Sequence, residues 1–110
     1  MNSWKEKVKI EFERAKSART RGNEAQARVC ARRAAGIAIR EYYTRQGTPV
    51  RTPGAYNLLL RLRGEKHLAP DLIQAAAYLS LHVNKEFNLP EHVDLLVEAR
   101  KLCDGLLSNE

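Results

Sequence analysis

The chain has 110 residues, of which 44% are hydrophobic and 29% charged, and its formal net charge is +6. This length suits one modest core, so we expect residues 1–110 to form a single domain. The mixture of apolar and charged residues argues against a disordered chain. No apolar run reaches the ~18 residues of a membrane span. The charged first residues lack the apolar region of a signal peptide, so we expect a cytoplasmic protein.

The first predicted helix begins after Ser3 and runs to about Arg21. Ser3 and Glu6 have the spacing of a capping box, in which each side chain bonds the backbone N–H of the other residue. Gly22 stands where a glycine commonly follows the end of a helix. Ile10 lies off the apolar face of this helix. The apolar face recurs with the helical period and consists of Trp4, Val8, Phe12, Ala15 and Ala18.

The second predicted helix, from Asn23 to Gln46, is the element around which we expect the others to pack. At about 100° per residue its apolar residues cover most of the circumference, and such a helix is normally buried against several neighbours. Most of these residues are alanines, and Gly36 adds a point of close approach. Because the loop between the first two helices is so short, they should form an antiparallel hairpin.

Three further helices are predicted, over residues 55–63, 70–87 and 91–107. Thr52 and Pro53 have the pattern of an N-cap followed by proline at the first helical position. No stretch alternates with period two, so no strand is predicted. The residues predicted to face the core are Leu58, Leu59, Leu62, Leu72, Ala75, Ala76, Leu79, Val83, Val93, Leu96, Val97, Leu102, Cys103 and Leu106. The fold class is therefore all-α, an up-and-down bundle of four to five helices.

Neither the cysteines nor the histidines have metal-ligand spacing. Cys30 and Cys103 fall at apolar positions of predicted helices, which suits buried thiols; a disulfide between them is the open alternative. His67, His82 and His92 belong to no zinc motif. No glycine-rich phosphate loop is present either, so we expect no metal and no cofactor.

The charge is unevenly distributed along the sequence. Residues 1–66 hold 16 Lys and Arg against 6 Asp and Glu, a charge of +10, whereas residues 67–110 hold 3 against 7, a charge of −4. This asymmetry indicates an acidic or nucleic-acid partner for the first part, pairing between two copies, or pairing between helices of one bundle. The chain is small, and Ile10 and several C-terminal leucines lack an assigned place in one bundle, so we expect a homodimer.

Four arginines of the second helix, Arg28, Arg32, Arg33 and Arg40, are candidates for binding a nucleotide or phosphate. Like charges at this spacing destabilise an isolated helix slightly, so an acidic group should lie opposite them. That group is either the acidic C-terminal helices or a phosphate, which a guanidinium binds through two hydrogen bonds. Tyr42, Tyr43 and Tyr56 could stack on a base, and Tyr43 is the further candidate among them. The alternative is that they are core tyrosines with their hydroxyls at the surface.

A family resemblance lies in the first two helices, which read A-R-T-R-G-N and then E-A-Q-A-R-V-C-A-R-R-A-A-G-I-A-I-R-E-Y-Y-T-R-Q-G. This pattern resembles the HEPN family of small helical domains, whose second helix is alanine-rich and ends in glycine. The matching positions are Ala31, Ala34, Ala35, Ala38 and Ile39, and A-Y-N-L-L-L-R-L resembles the family's next segment. The resemblance covers nearly the whole chain and implies an often dimeric bundle of four or five helices. A tetratricopeptide-like hairpin is the alternative, but no second repeat is present.

The resemblance implies a nucleotide- or RNA-binding module that acts with a partner such as a minimal nucleotidyltransferase in a toxin–antitoxin-type system. Active family members are metal-independent ribonucleases with an arginine and a histidine four to six residues apart. Arg61 and His67 have that separation but lie outside the motif's place, and in the late helices Lys85 stands where arginine is required. We therefore expect binding without turnover. The alternatives are a weak ribonuclease using Lys85 with His82 or His92, and a structural protein-interaction module with no nucleotide ligand.

Overall fold

A computed structural model of the chain describes residues 3–48, 50, 54–81 and 93–107. Within these residues the helices are α1 (Trp4–Thr20), α2 (Glu24–Arg45), α3 (Ala55–Arg63), α4 (Pro70–Leu79) and α5 (Leu95–Leu106). The same residues contain no strand, which confirms the prediction of an all-α bundle. None of the helices described is both long enough and apolar enough to cross a membrane.

The boundaries of α1 follow the capping signals of the sequence. The Ser3 hydroxyl accepts a hydrogen bond from the backbone N–H of Glu6 at 3.3 Å. Beyond Thr20 the chain turns at Gly22, whose φ of 79° lies in the left-handed region that favours glycine. The apolar face packs inward as predicted: Val8, Phe12, Ala15 and Ala18 are buried.

The second helix is the centre of the bundle, because α2 contacts α1, α3 and α5. The Asn23 side chain caps its first turn by accepting from the Gln26 N–H at 3.1 Å. Its buried residues are Ala27, Cys30, Ala31, Ala34, Ala35, Gly36, Ala38, Ile39 and Tyr43. A Cβ at Gly36 would lie 2.8 Å from the Ala55 Cβ, so α3 approaches at the glycine as the sequence predicts.

The predicted bounds of α3, Ala55–Arg63, are confirmed, but its predicted N-cap is wrong. Gly54, rather than Thr52, is the N-cap residue of this helix. Its φ of 87° is a backbone conformation that residues with a Cβ rarely adopt. Thr52 and Pro53 themselves lie outside the described residues. The predicted inward face of α3 is confirmed, since Leu58, Leu59 and Leu62 are buried.

The fourth helix is shorter than predicted. It ends at Leu79, and Ser80 follows as its C-cap instead of continuing the helix to residue 87. The Ser80 hydroxyl donates to the Ala77 carbonyl at 3.0 Å, a local bond that competes with helix propagation. Val83 and the predicted break at residues 88–91 lie outside the described residues.

The fifth helix begins later than predicted, at Leu95 instead of residue 91. Asp94 sets this start, because its Oδ1 accepts from the Leu96 N–H at 3.0 Å. The prediction that Val97 faces the core is wrong, since this side chain is 56% exposed. Leu95 and Ala99 are buried, and Val97 lies about 200° around the helix from each of them.

An ion-pair network at the turn of the α1–α2 hairpin fixes α5 in place. The guanidinium of Arg19 donates to Glu24 from Nε at 2.9 Å and from Nη2 at 2.8 Å. The same group donates to Asp94 from Nη1 at 2.9 Å and from Nη2 at 3.0 Å. One arginine thus joins the end of α1, the start of α2 and the residue that caps α5.

Both cysteines are buried free thiols, so the alternative of a disulfide is not observed. The Cys103 Sγ lies 3.7 Å from the Ala34 carbonyl, which accepts its weak hydrogen bond. Burial raises the pKa of Cys103 to about 12. At neutral pH this thiol is therefore protonated and unreactive.

Candidate functional site

The five residues predicted to bind a nucleotide or phosphate occupy four separate places. Arg28 Nε lies 3.6 Å from Glu24 on its own helix. Arg32 donates from Nε to the Leu79 carbonyl at 2.8 Å and from Nη2 to the Leu81 carbonyl at 3.2 Å. The last carbonyls of a helix lack intrahelical partners, and a cation there also suits the helix dipole. Arg32 thus closes the end of α4, and burial lowers its pKa below the ordinary value.

Tyr43 packs as a core residue. Its side chain is 2% exposed, and its hydroxyl donates to Glu65 Oε1 at 2.8 Å. The Arg61 guanidinium lies 4.5 Å from the centre of the ring, a cation–π contact. Burial, followed by the bond to Glu65, raises the pKa of Tyr43.

A second tyrosine joins the same polar cluster. The Tyr42 hydroxyl lies 3.1 Å from His67 Nε2, and His67 Nδ1 lies 3.7 Å from Glu65 Oε2. These contacts tie the C-terminal part of α2 to the segment that links α3 with α4. The sequence reasoning considered His67 only for zinc-ligand spacing and for its separation from Arg61, so it missed this pairing with Tyr42.

Arg33 and Arg40 do meet at one site. They line a surface cavity of about 510 Å³ at the open end of the α1–α2 hairpin, opposite the turn. Ala55 and Leu58 of α3 form a further wall. The side chains that give the cavity its chemistry come from α1 and α2: Trp4, Lys7, Glu11, Arg33, Ile37 and Arg40.

The spacing of these residues explains why they converge. Those of α1 fall at positions 4, 7 and 11, and those of α2 at positions 33, 37 and 40. Residues three and four apart lie on one face of a helix. Because the two helices run antiparallel, these two faces lie across from each other at the end of the hairpin.

Two charged groups of the cavity are incompletely paired within the described residues. It has three cationic residues, Lys7, Arg33 and Arg40, and two acidic ones, Glu11 and Glu41. Glu41 accepts from Arg45 Nε at 3.0 Å. Arg33, by contrast, has no ion-pair partner within the part of the chain that the structure describes.

Glu11 is the second incompletely paired group. Its Oε2 lies 3.5 Å from Arg14 Nη1, and the side chain is 13% exposed. Its other carboxylate oxygen, Oε1, is buried and accepts no hydrogen bond from any described residue. Buried polar atoms in folded proteins are nearly always hydrogen-bonded, so this oxygen is the unusual atom of the site.

Trp4, which lines the cavity, has two cations close to its ring. Trp4 is half-buried, with Arg45 5.3 Å and Lys5 5.8 Å from its ring centre. Ile37 adds apolar surface to the lining. A cavity of this size falls within the range of about 300–1,000 Å³ usual for small ligands. The lining therefore suits a flat, anionic molecule.

The sequence reasoning missed Lys7 and Glu11, although a signal for Glu11 was present. Glu11 lies three residues after Val8 and four residues before Ala15, so it shares the side of α1 on which these two apolar residues lie. A carboxylate among apolar residues is uncommon unless it has a partner or a function. For Lys7 no such signal exists, since it is one of several exposed lysines of α1.

The alternative catalytic candidates His82, Lys85 and His92 lie outside the described residues. Among the residues that are described, no three His, Cys, Asp or Glu side chains come together as a metal site. Comparisons of the chain with protein-family models, with curated proteins and with solved structures find no match. Membership of the HEPN family therefore stays a prediction.

Proposed function

We propose that this protein is a HEPN-like module that binds a nucleotide or RNA, with the ligand's phosphate in the cavity at the open end of the hairpin. The observation that carries the proposal is the shared cavity of Arg33 and Arg40, with Lys7 from the other helix. Arginine donates paired hydrogen bonds to phosphate oxygens. A cleft with cations on low-dielectric walls also concentrates anionic ligands.

The proposal assigns the base or sugar of the ligand to the less polar part of the lining. Trp4 lines the cavity and retains some exposed surface, and bases stack on aromatic rings with little dependence on sequence. Ile37 supplies a second apolar contact surface. A nucleotide would thus meet cations at one part of the cavity and apolar groups at another.

Binding without turnover is part of the proposal. General acid–base catalysis needs a proton donor and acceptor held near the reacting atoms, and the described lining contains no histidine. The family resemblance adds a partner, such as a minimal nucleotidyltransferase of a toxin–antitoxin-type system. It also supports a homodimer, in which exposed apolar side chains such as Ile10 and Val97 would find contacts.

The experiment that tests the proposal uses Trp4, the only tryptophan of the chain, as a fluorescence reporter. Labelled single-stranded RNA and ATP are titrated at low and moderate salt. Binding should weaken steeply with salt, with a logarithmic slope of about −0.7 per phosphate contact for a single strand. Arg33→Ala should weaken binding about tenfold or more, the loss expected for a charge-assisted hydrogen bond.

Arg28→Ala is the matched control, because it removes the same residue type from the same helix outside the cavity. It should change affinity by less than about threefold. Equal losses from Arg28→Ala and Arg33→Ala would indicate diffuse binding to a basic surface and contradict the cavity. Absence of binding by both ligands at low salt would refute the nucleotide and RNA proposal.

A protein-interaction module is the second candidate function, and the surface around Val97 favours it. This side chain is 56% exposed and lines a separate cavity of about 490 Å³ with Phe12 and Leu96. Exposed apolar surface of this kind is typical of interaction sites. Light scattering tests self-association: a mass near 12.5 kDa, that of one chain, at micromolar concentration would exclude the dimer.

The ribonuclease alternative has its own outcome in these experiments. RNA cleavage that survives extensive purification and depends on a residue of this chain would contradict binding without turnover. Loss of that cleavage in His82→Ala or His92→Ala would assign it to the predicted late residues. Cleavage unaffected by both variants would instead indicate a contaminating enzyme.

A further inference from the structure

We infer that Glu11 is a specificity residue of the cavity, accepting a hydrogen bond from a neutral donor on a phosphorylated ligand. The inference rests on the proposed function, because it assigns the donor to the molecule whose phosphate the arginines bind. A ribonucleotide has two such donors, its ribose hydroxyls and the amino group of its base. An inorganic polyphosphate has no comparable neutral donor group.

One carboxylate oxygen of Glu11 accepts no hydrogen bond from the described residues. Arg14 approaches only Oε2, at 3.5 Å, while Oε1 is buried without a hydrogen bond from any described residue. The side chain nevertheless lines the cavity. The last torsion of glutamate is broad, so a modest rotation turns Oε1 towards a ligand. A donor arriving there would satisfy an atom that the protein leaves unsatisfied.

The negative charge of Glu11 affects which ligand the cavity prefers. A carboxylate repels phosphate, so Glu11 weakens the site for a ligand that consists of phosphate alone. Specificity is a difference between two affinities and is often obtained by penalising the wrong ligand. Glu11 would penalise inorganic polyphosphate and favour any phosphorylated molecule that also brings an O–H or N–H group.

The position of Glu11 along α1 suits a ligand that carries both a phosphate and a neutral donor. Glu11 lies one turn beyond Lys7 on the same face of the helix, which corresponds to about 6 Å along the helix axis. The phosphate and the sugar of a nucleotide are adjacent groups separated by a comparable distance. One molecule could therefore contact a cation and the carboxylate at the same time.

Calorimetric titration of the intact protein with four ligands tests the inference: ATP, 2′-deoxy-ATP, inosine triphosphate and inorganic tripolyphosphate. Wild type should bind ATP more tightly than tripolyphosphate. A roughly tenfold weaker affinity for 2′-deoxy-ATP would identify the ribose 2′-hydroxyl as the donor. A similar loss with inosine triphosphate would identify the base amino group.

Glu11→Leu removes the acceptor at similar size. This variant should bind ATP about tenfold more weakly than wild type and tripolyphosphate more tightly, so the preference for ATP disappears. Glu11→Gln keeps a neutral acceptor, so it should increase the affinity for tripolyphosphate more than the affinity for ATP. This variant replaces the leucine variant in the test if the latter does not fold. Glu13→Leu is the control, because Glu13 is exposed on α1 outside the cavity.

The failure of this inference differs from the failure of the proposed function. If Glu11→Leu and Glu11→Gln change the affinities for ATP and tripolyphosphate by the same factor, Glu11 acts through its charge alone and the inference is wrong. In that case phosphate binding itself stands. If wild type binds none of the four ligands, the proposed function and the inference fall together.

Discussion

The two ends of the α1–α2 hairpin carry charged residues that differ in how completely they are paired. At the turn, the Arg19 guanidinium donates to both oxygens of Glu24 and both oxygens of Asp94, at distances of 2.8–3.0 Å. At the open end, Arg33 and Glu11 line one cavity, yet Glu11 Oε1 is left without a hydrogen bond from the described residues.

This difference shows that some basic residues of the chain contribute to the fold while others line a candidate binding site. The charges at the turn are satisfied within the chain, so they hold three helices together and leave little for a ligand. At the open end, Arg33 has no ion-pair partner and Glu11 Oε1 has no hydrogen bond within the described residues, although both side chains line one cavity. A large net charge alone therefore says little about a site, and the location of the unpaired groups says more.

The largest expected effect concerns the packed centre that both ends share. Ala34 of α2 is fully buried, and Ala34→Glu would place an unpaired charge in the core. We expect a loss of about 4 kcal/mol or more, comparable with the whole stability of a small domain. Circular dichroism against temperature measures this loss.

Ala25→Glu is the control for Ala34→Glu, because Ala25 is exposed on the same helix. This variant should melt within a few degrees of wild type. An unchanged melting temperature for Ala34→Glu would mean that Ala34 is not in the core. The packing of α2 at the centre of the bundle, between the two ends of the hairpin, would then be wrong.

The next effect tests the paired end. Asp94→Ala removes the cap of α5 and one partner of Arg19. The lost cap should cost about 1 kcal/mol, and the exposed ion pair adds less than that, so the free energy of unfolding should fall by about 1–2 kcal/mol. Urea denaturation measures it, with exposed Asp104 replaced by alanine as control. A loss no larger than that of Asp104→Ala would show that the network contributes nothing to stability.

A smaller effect follows from pH. Hydrogen bonds from Arg19 lower the pKa of Glu24 and of Asp94 below their ordinary values of 4.5 and 3.8. Carboxyls with a lowered pKa in the folded state stabilise the fold above their ordinary pKa, and this contribution is lost as the pH falls through the folded values. Arg19→Met should therefore make the decline of stability below pH 4.5 shallower than in wild type.

Exposed Arg21 replaced by methionine is the control for the acid experiment, and its decline should match that of wild type. Identical acid profiles for Arg19→Met and wild type would contradict the pairing at the turn. Since all three side chains of the network keep more than a third of their surface exposed, high salt should also reduce the difference.

The sequence predicted the elements of the fold better than their contacts. Hydrophobic period and capping residues located α1 and α2 almost to the residue, because these signals are local. The end of α4 at Ser80 and the start of α5 at Asp94 differ from the prediction, because each of these side chains bonds a backbone group beside it. The apolar pattern alone had predicted longer helices. Val97 is exposed because it lies about 200° around α5 from the buried residues Leu95 and Ala99.

The candidate site was predictable only in part for a similar reason. Helical spacing placed Arg33 and Arg40 on one side of α2, and both line the cavity. It could not show that Arg32 would cap α4 through two carbonyls, because that contact joins segments far apart in the chain. Lys7 entered the site through the pairing of α1 with α2, which no single-helix pattern reveals.

The smallest expected effect is at the unpaired end, where Arg33→Ala should leave stability nearly unchanged. Arg33 is exposed and has no ion-pair partner within the described residues, so the change in unfolding free energy should stay within about 0.5 kcal/mol. Arg19→Ala, measured beside it by urea denaturation, should lose distinctly more because two carboxylates would face each other without their cation. Equal losses from the two variants would mean that Arg33 is engaged inside the folded chain, and the contrast between a paired and an open end would fail. A negligible loss together with weakened ligand binding would instead separate the two roles of arginine within one hairpin.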